Sequence, residues 1–271
     1  MVTYNGINVV QGRFPNNEVD YISADRLKET CSAPFEEPCW DEFRVVFESN
    51  EDLFNLQVIK KWWDDAFPNN WARLVIDYFP YGQMDREMNE HLFSLKYVAE
   101  IINDLDFRVV YISDPHSNVL PALLKHCSTD YPIKDYISEN GSNYDLLFYP
   151  DNGAAKKYSE LIDMPYRFGN KKRNLETGEI VCYEVIADKS DIEGKRILIV
   201  DDMVMGGRTF VEAAKALREM GASQVDLYVT HLKPESRKFY NSNGNGLIDN
   251  IYSADTLGLI PIFETPDRWY C

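Results

Sequence analysis

The chain has 271 residues, long enough for one large or two ordinary domains with an ample buried core. Its 45% hydrophobic and 27% charged residues are ordinary for a globular protein, and no run reaches the ~18 apolar residues needed to span a bilayer. The formal charge of −16 lacks the basic footprint of a nucleic-acid-binding protein. Any phosphate-bearing ligand must then be met locally, by Mg2+, backbone N–H groups and a few Lys and Arg residues.

The predicted elements alternate between strand and helix. After a polar, proline-containing opening, residues 43–47 (FRVVF) read as a strand. Residues 53–63 read as a helix with Leu56, Ile59 and Trp63 on one face, so Trp62 and Trp63 are packing residues. Strand 74–79 and helix 91–102 follow, the latter with Leu95, Val98, Ala99 and Ile102 at helical spacing. Strand 109–113 and a short helix near 120–126 close this half. The pattern then restarts with strand 146–149, helix 154–161, strand 180–186 and the fully apolar strand 197–200. Helix 209–220, closed by Gly221, and strand 225–230 complete it. Such alternation predicts an α/β protein of two mostly parallel sheets flanked by helices. Residues 127–143, rich in Ser, Asp, Pro and Gly, read as the boundary between domains 1–130 and 131–271. Five scattered cysteines without a CxxC pair argue against a disulfide framework or a zinc site. The opening MVTYNGINVV lacks the features of a signal peptide, so a cytoplasmic protein is expected.

The most informative run is ILIVDDMVMGGRT, residues 197–209. Ligands of open α/β sheets bind beyond the carboxyl ends of strands. Asp201 and Asp202, placed there, suit the vicinal hydroxyls of a ribose, or Mg2+. Gly206 and Gly207 let the backbone approach an anion. Thr209 is expected to cap the next helix, whose first N–H groups favour a phosphate.

This run resembles the ribose 5-phosphate loop of type I phosphoribosyltransferases and of ribose-phosphate pyrophosphokinases (PRPP synthetases). Further segments resemble the pyrophosphokinases in chain order. GRFPNNEV resembles their adenine-contacting loop and implies ATP contacts from Phe14 and Glu18. DYFPYGQMDRE resembles their second ATP-side segment and brings in Gln83, Asp85 and Arg86. SDPHS and FYPDNGAAKK imply that His116 and Asp151 hold Mg2+, and NKKRN implies that Lys171 and Arg173 close on the transferring phosphates from a mobile loop. The resemblance runs from about residue 12 to 255 and implies two type I phosphoribosyltransferase-like domains. It also implies transfer of the β,γ-diphosphate of ATP to the anomeric hydroxyl of a ribose 5-phosphate, with release of AMP. The family's adenine site is completed by a neighbouring subunit, so at least a dimer is expected.

The loop departs from the family's Asp-Asp-x-x-Asp-Thr-Ala-Gly-Thr pattern. Met205, Gly206, Gly207 and Arg208 replace the third Asp, the first Thr, the Ala and the Gly. These changes suit a 5′-phosphate that is esterified and bulky, with glycines making room and Arg208 pairing with a second phosphate. ADP-ribose fits, and a phage-borne branch of the family makes ADP-ribose 1-pyrophosphate for rebuilding NAD. Gln83 and Met84 replace an Arg-Gln pair, and the chain ends at Cys271, short of the family's final helix. A conventional PRPP synthase, a non-catalytic family-associated regulator and a phosphoribosyltransferase are the competing expectations.

Overall fold

A computed structural model describes residues 1–31, 40–87, 91–173, 180–232 and 236–254, with the backbone alone at 171–173, 180–182 and 237. The chain divides into two units, Met1–Asp130 and Tyr131–Cys271.

The first unit opens with the short strands β1 (Val2–Tyr4), β2 (Ile7–Asn8), β3 (Val10–Arg13) and β4 (Val19–Tyr21) and helix α1 (Ala24–Lys28). Then come β5 (Trp40–Val46), α2 (Glu51–Ala66), β6 (Trp71–Tyr78), α3 (Ser94–Asp104), β7 (Val109–Ser113), α4 (Val119–Leu123) and β8 (Cys127–Asp130). The sheet runs β2-β1-β5-β6-β7-β8, parallel from β5 to β8, while β3 and β4 form a separate hairpin. Parallel register aligns Phe43 with Leu74 and Val110, and Val45 with Ile76 and Ile112, so one face is continuously apolar. Leu56, Ile59 and Trp63 of α2 and Leu95, Val98, Ala99 and Ile102 of α3 bury against that face. Each large side chain so buried contributes roughly 1.5–3 kcal/mol. The opposite face carries the ion pairs Arg73–Glu42 and Arg44–Asp77 instead.

The second unit contains α5 (Ile133–Asn140), β9 (Leu146–Tyr149), α6 (Asn152–Tyr158), β10 (Tyr166–Arg173), β11 (Ile180–Ile186), α7 (Lys189–Ile192) and β12 (Arg196–Val204). After these come α8 (Arg208–Glu219), β13 (Gln224–Leu232), α9 (Arg237–Asn241), α10 (Asn243–Gly246) and β14 (Ile251–Ser253). Sheet order is β11-β10-β9-β12-β13-β14, and only the β10–β11 pair is antiparallel. Here both faces are covered. Leu147 and Tyr149 pack with α5 and α6, while Leu146 and Phe148 pack with α7 and α8, which is why β9 is apolar at every position. Helix α8 closes as the sequence predicts: Ala222 N–H donates to the Leu217 carbonyl and Gly221 N–H to that of Arg218, a Schellman ending.

Three expectations change. Residues 127–143, within which the two units divide, are not a bare boundary segment, since they hold β8 and all of α5. The apolar strand does not stop at Val200 but continues through Asp201 and Asp202 to Val204, paired to β13. Lys171 and Arg173 belong to strand β10, whose hairpin with β11 replaces the expected loop; Asn174 lies outside the described residues. Among the described residues, no helix is long and apolar enough to cross a membrane.

The core of the first unit includes buried polar side chains, Asp41 among them. Asp41 is fully buried and accepts hydrogen bonds from Asn5 Nδ2 at 2.8 Å, Trp63 Nε1 at 2.9 Å and Cys31 Sγ at 3.5 Å. Asp41→Ala leaves those donors without it and is expected to cost about 2–4 kcal/mol. Urea unfolding should show this as a lower midpoint at unchanged slope.

Candidate functional site

In the second unit the chain leaves β9 toward β10 on one side and returns to β12 on the other, so strand order reverses between β9 and β12. Crevices at such reversals, beyond the carboxyl ends of the strands, are where open α/β sheets bind ligands. Pairing of β9 with β12 ends at Phe148–Ile199, whereas β13 supports β12 as far as Val204. Asp201 and Asp202 therefore stand on a well-anchored strand beside the end of β9, from which Asp151 emerges.

Asp151 caps α6, its Oδ1 accepting from the Ala154 N–H at 3.0 Å. Asp202 is buried and its N–H donates to Asp201 Oδ1 at 2.9 Å. Burial, followed by the charges of Asp202 and Asp151, holds the Asp201 carboxyl well above the usual carboxylate range. The structure thus brings Asp151 and Asp201 within each other's field, which the sequence left 50 positions apart. Among the described residues no three His, Cys, Asp or Glu side chains converge to hold a metal ion by themselves. An all-oxygen set of one or two carboxylates suits Mg2+ that keeps water and substrate phosphates as its other ligands.

The loop after β12 differs in detail from its sequence reading. Gly207, not Thr209, is the N-cap of α8, with no side-chain cap bond; Arg208 and Thr209 are the helix's first two residues. Gly207 is left-handed at φ 75°, and any Cβ there would overlap the ring of Phe239 from α9. Its space is filled by Phe239, so it provides no room for a ligand. Gly206 has open space where its Cβ would be, and Arg208 is exposed.

Sequence reasoning missed Tyr183. Its hydroxyl donates to the Pro150 carbonyl at 3.1 Å, and burial, then Asp151 and Asp201, push its proton affinity up. No local pattern marks it, because its partners come from β9, β10 and β12.

In the first unit, Phe14 and Glu18 sit in the tight β3–β4 turn, with Phe14 N–H donating to the Glu18 carbonyl at 2.9 Å. Phe14 is 51% exposed and so is not a core residue. Arg13 pairs with Glu51 at 2.6 Å, and Tyr81 Oη donates to Asn50 Oδ1 at 2.8 Å. The hairpin and the segment bearing Gln83, Asp85 and Arg86 are thus both tied to the start of α2. A Cβ on Gly82 would lie 3.2 Å from His116 Cβ, which places exposed His116 against the same segment. Asn50 and Glu51, the segment from Tyr81 to Arg86, and His116 follow the carboxyl ends of β5, β6 and β7 in turn, and the β3–β4 hairpin is joined to them through Arg13.

Comparison with known proteins agrees with this layout. Residues 153–255 match the phosphoribosyl transferase domain. The chain is 30% identical over 178 residues to a ribose-phosphate pyrophosphokinase of Pyrococcus furiosus, covering 62% of each chain. It is 27% identical over 166 residues to that of Saccharolobus solfataricus, covering 58% of this chain and 56% of the relative. A Marinomonas sp. ribose-phosphate pyrophosphokinase is 28% identical over 228 residues, 78% of this chain and 68% of its own. The match thus spans about three fifths of the length of the first two relatives. In fold, the chain is similar to the phosphoribosylpyrophosphate synthetase of Mycobacterium smegmatis, with TM-score 0.62 and 20% identity over 84% of this chain and 75% of that one. Residues 153–255 of the second unit thus match a phosphoribosyl transferase domain, and the chain is similar in sequence and fold to ribose-phosphate pyrophosphokinases.

The Asp201 environment has a measurable consequence. A carboxyl with a higher pKa in the folded than the unfolded state favours folding when protonated. That contribution is complete below the unfolded value near ~3.9 and is lost as pH rises through the folded one. The ligand-free protein should therefore lose stability from this group as pH rises into the neutral range. Asp201→Asn is expected to raise Tm at pH 7 by about 2–4 °C, the response of a chain this size to ~1 kcal/mol, and to flatten that slope. Thermal melts between pH 5 and 8 check this; an unchanged slope in the variant would refute the electrostatic cause.

Proposed function

We propose that this chain is a Mg2+-dependent diphosphotransferase that moves the β,γ-diphosphate of ATP to the anomeric hydroxyl of a ribose 5-phosphate moiety and releases AMP. The observation that carries the reading is the pairing of Asp151 with Asp201 and Asp202 across the strand-order reversal, one turn ahead of an uncapped helix N-terminus. Asp201 and Asp202 accept the ribose hydroxyls, and the first N–H groups of α8 receive the 5′-phosphate. The anomeric oxygen attacks the β-phosphorus as the bond from that phosphorus to the α-bridging oxygen breaks. AMP leaves, and the hydroxyl proton passes to solvent. No side-chain nucleophile is required, so the protein's contribution is alignment and charge stabilisation.

We assign Mg2+ ligation to His116 on the ATP side and, as a separate assignment, to Asp151 on the acceptor side; Mg2+ held at either would neutralise charge on phosphate oxygens. Lys171 and Arg173, on the β10–β11 hairpin, are the electrostatic clamp on the transferring group. Phe14, Glu18, Gln83, Asp85 and Arg86 serve the adenine and phosphates of ATP. Domain 1–130 is the ATP side and domain 131–271 the acceptor side, and we expect a homodimer or larger assembly.

For the acceptor we favour ADP-ribose over ribose 5-phosphate. Support comes from Gly206, which faces open space, and from exposed Arg208 in the first turn of α8. A cation at a helix N-terminus is disfavoured by the dipole by about 0.3–1 kcal/mol, and an anion bound there reverses that sign. Gly207 no longer supports the choice, since Phe239 occupies its space.

AMP release is to be measured with ATP, Mg2+ and each acceptor offered separately. ADP-ribose is expected to give the faster release; faster release with ribose 5-phosphate would overturn the acceptor choice. No release with any ribose phosphate would overturn the reaction itself. Arg208→Ala is expected to raise KM for ADP-ribose about tenfold, the loss of one charge-assisted contact, with KM for ATP unchanged. Equal effects on both substrates would contradict the second-phosphate role.

A further inference from the structure

We infer that Tyr183 is a positioning residue for the diphosphate transfer, an inference that rests on the reaction proposed above. Tyr183 lies on β11 opposite Lys171 of β10 in the antiparallel register. Its side chain does not stay over its own strand. It passes across β10 at Gly169 and delivers its hydroxyl to the carbonyl of Pro150, 3.1 Å away, at the end of β9. Pro150 immediately precedes Asp151. One phenol therefore ties the hairpin that carries Lys171 and Arg173 to the backbone that presents Asp151.

The crossing is built into β10. A Cβ at position 169 would overlap both the hydroxyl and Cζ of Tyr183 and would stand 3.0 Å from the Pro150 carbonyl oxygen. Glycine is a poor choice inside a strand unless another group must approach closely, and here the approaching group is the tyrosine ring. Packing alone does not account for the residue. The ring does pack against the cluster beneath α8, yet a phenylalanine would fill that space equally well, and only the hydroxyl reaches Pro150. The fields of Asp151 and Asp201 also act on that hydroxyl, which places it at the rim of the acidic crevice. With this tie, the clamp and the carboxylate are indexed to one carbonyl, and a shift of one moves the other. Misplacement by about 1 Å at such positions costs up to ~100-fold in rate.

The test is Tyr183→Phe in the full chain, with turnover, melting temperature and hydrogen exchange measured together. We expect kcat for AMP release to fall at least ~10-fold with both KM values within about twofold, which separates positioning from substrate binding. Tm is expected to move by less than ~3 °C, while amides of residues 168–171 exchange at least ~10-fold faster. In an Asp151→Asn background the same substitution is expected to lower kcat by a smaller factor than in the wild type, because part of its effect acts through that residue; a full, multiplicative effect would overturn the coupling to Asp151. Gly169→Ala, which forces the hydroxyl off Pro150, should reproduce the kinetic loss. Unchanged kcat and unchanged hairpin exchange in Tyr183→Phe would overturn the inference while leaving the proposed reaction standing. A wild-type chain that releases no AMP would overturn the reaction and the catalytic role together. Hairpin exchange indifferent to the hydroxyl would overturn the tie on its own.

Discussion

Asp151 and Asp201 stand near the carboxyl ends of neighbouring parallel strands, and the charge of Asp151 helps make Asp201 harder to charge. In a desolvated crevice this repulsion opposes folding, and the surrounding structure is arranged to hold it in place. The Asp202 N–H serves Asp201, the first turn of α6 serves Asp151, and β13 keeps β12 in register five residues past the last β9 pair. A fold that needed only stability would place apolar or amide side chains here. Carboxylates retained at that cost mark a place where hydroxyl donors or a divalent cation complete the balance.

Two aromatic rings lying over glycines shape the walls of this crevice. Phe239 fills the space at Gly207 and fixes the turn into α8, while Tyr183 fills the space at Gly169 and fixes the end of β9. In both cases the glycine and the ring are far apart in sequence, so neither substitution is neutral by itself. The rings also explain why two adjacent glycines in the loop after β12 have different meanings. Gly207 belongs to the scaffold. Gly206 has open space where a Cβ would be, so the loop's departure from the family pattern given above rests on Gly206 and Arg208 more than on the glycine pair.

Much of the fold was legible because strong periodicity has a direct physical meaning. Strands β7, β9 and β11 and the face of α3 lie where alternation or helical spacing puts them, since burial on one or both faces leaves few other patterns possible. The opening strands β1 to β4 were not legible, being two to four residues long with too few turns of the pattern to register. Strand β10 was hidden for another reason. Its KKR run is polar where an interior strand would be apolar, because it lies beside the antiparallel edge strand and not deep in the sheet. Candidate site residues were legible wherever a motif was contiguous, as with Asp201 and Asp202. Tyr183 and Phe239 were not, because their roles depend on contacts between elements, which one-dimensional spacing does not encode.

The charge of the chain bears on how such a site must work. With a formal charge of −16, long-range attraction does not draw in polyphosphates, and carboxylates lining the crevice repel them further. Discrimination has to come from short-range groups whose arrangement is unfavourable until the ligand arrives. Asp201 beside Asp202 and Asp151 is one such group. Arg208 at the positive end of α8 is another, opposite in sign and seven residues further along the same strand–loop–helix segment. The acidic side of that segment calls for hydroxyls or Mg2+, and the basic side calls for phosphate. A ligand carrying only one of these features relieves only one of the two conflicts. On the function proposed above, a phosphorylated ribose would relieve both at once, and that joint requirement would let an acidic protein select an anionic substrate without a basic surface.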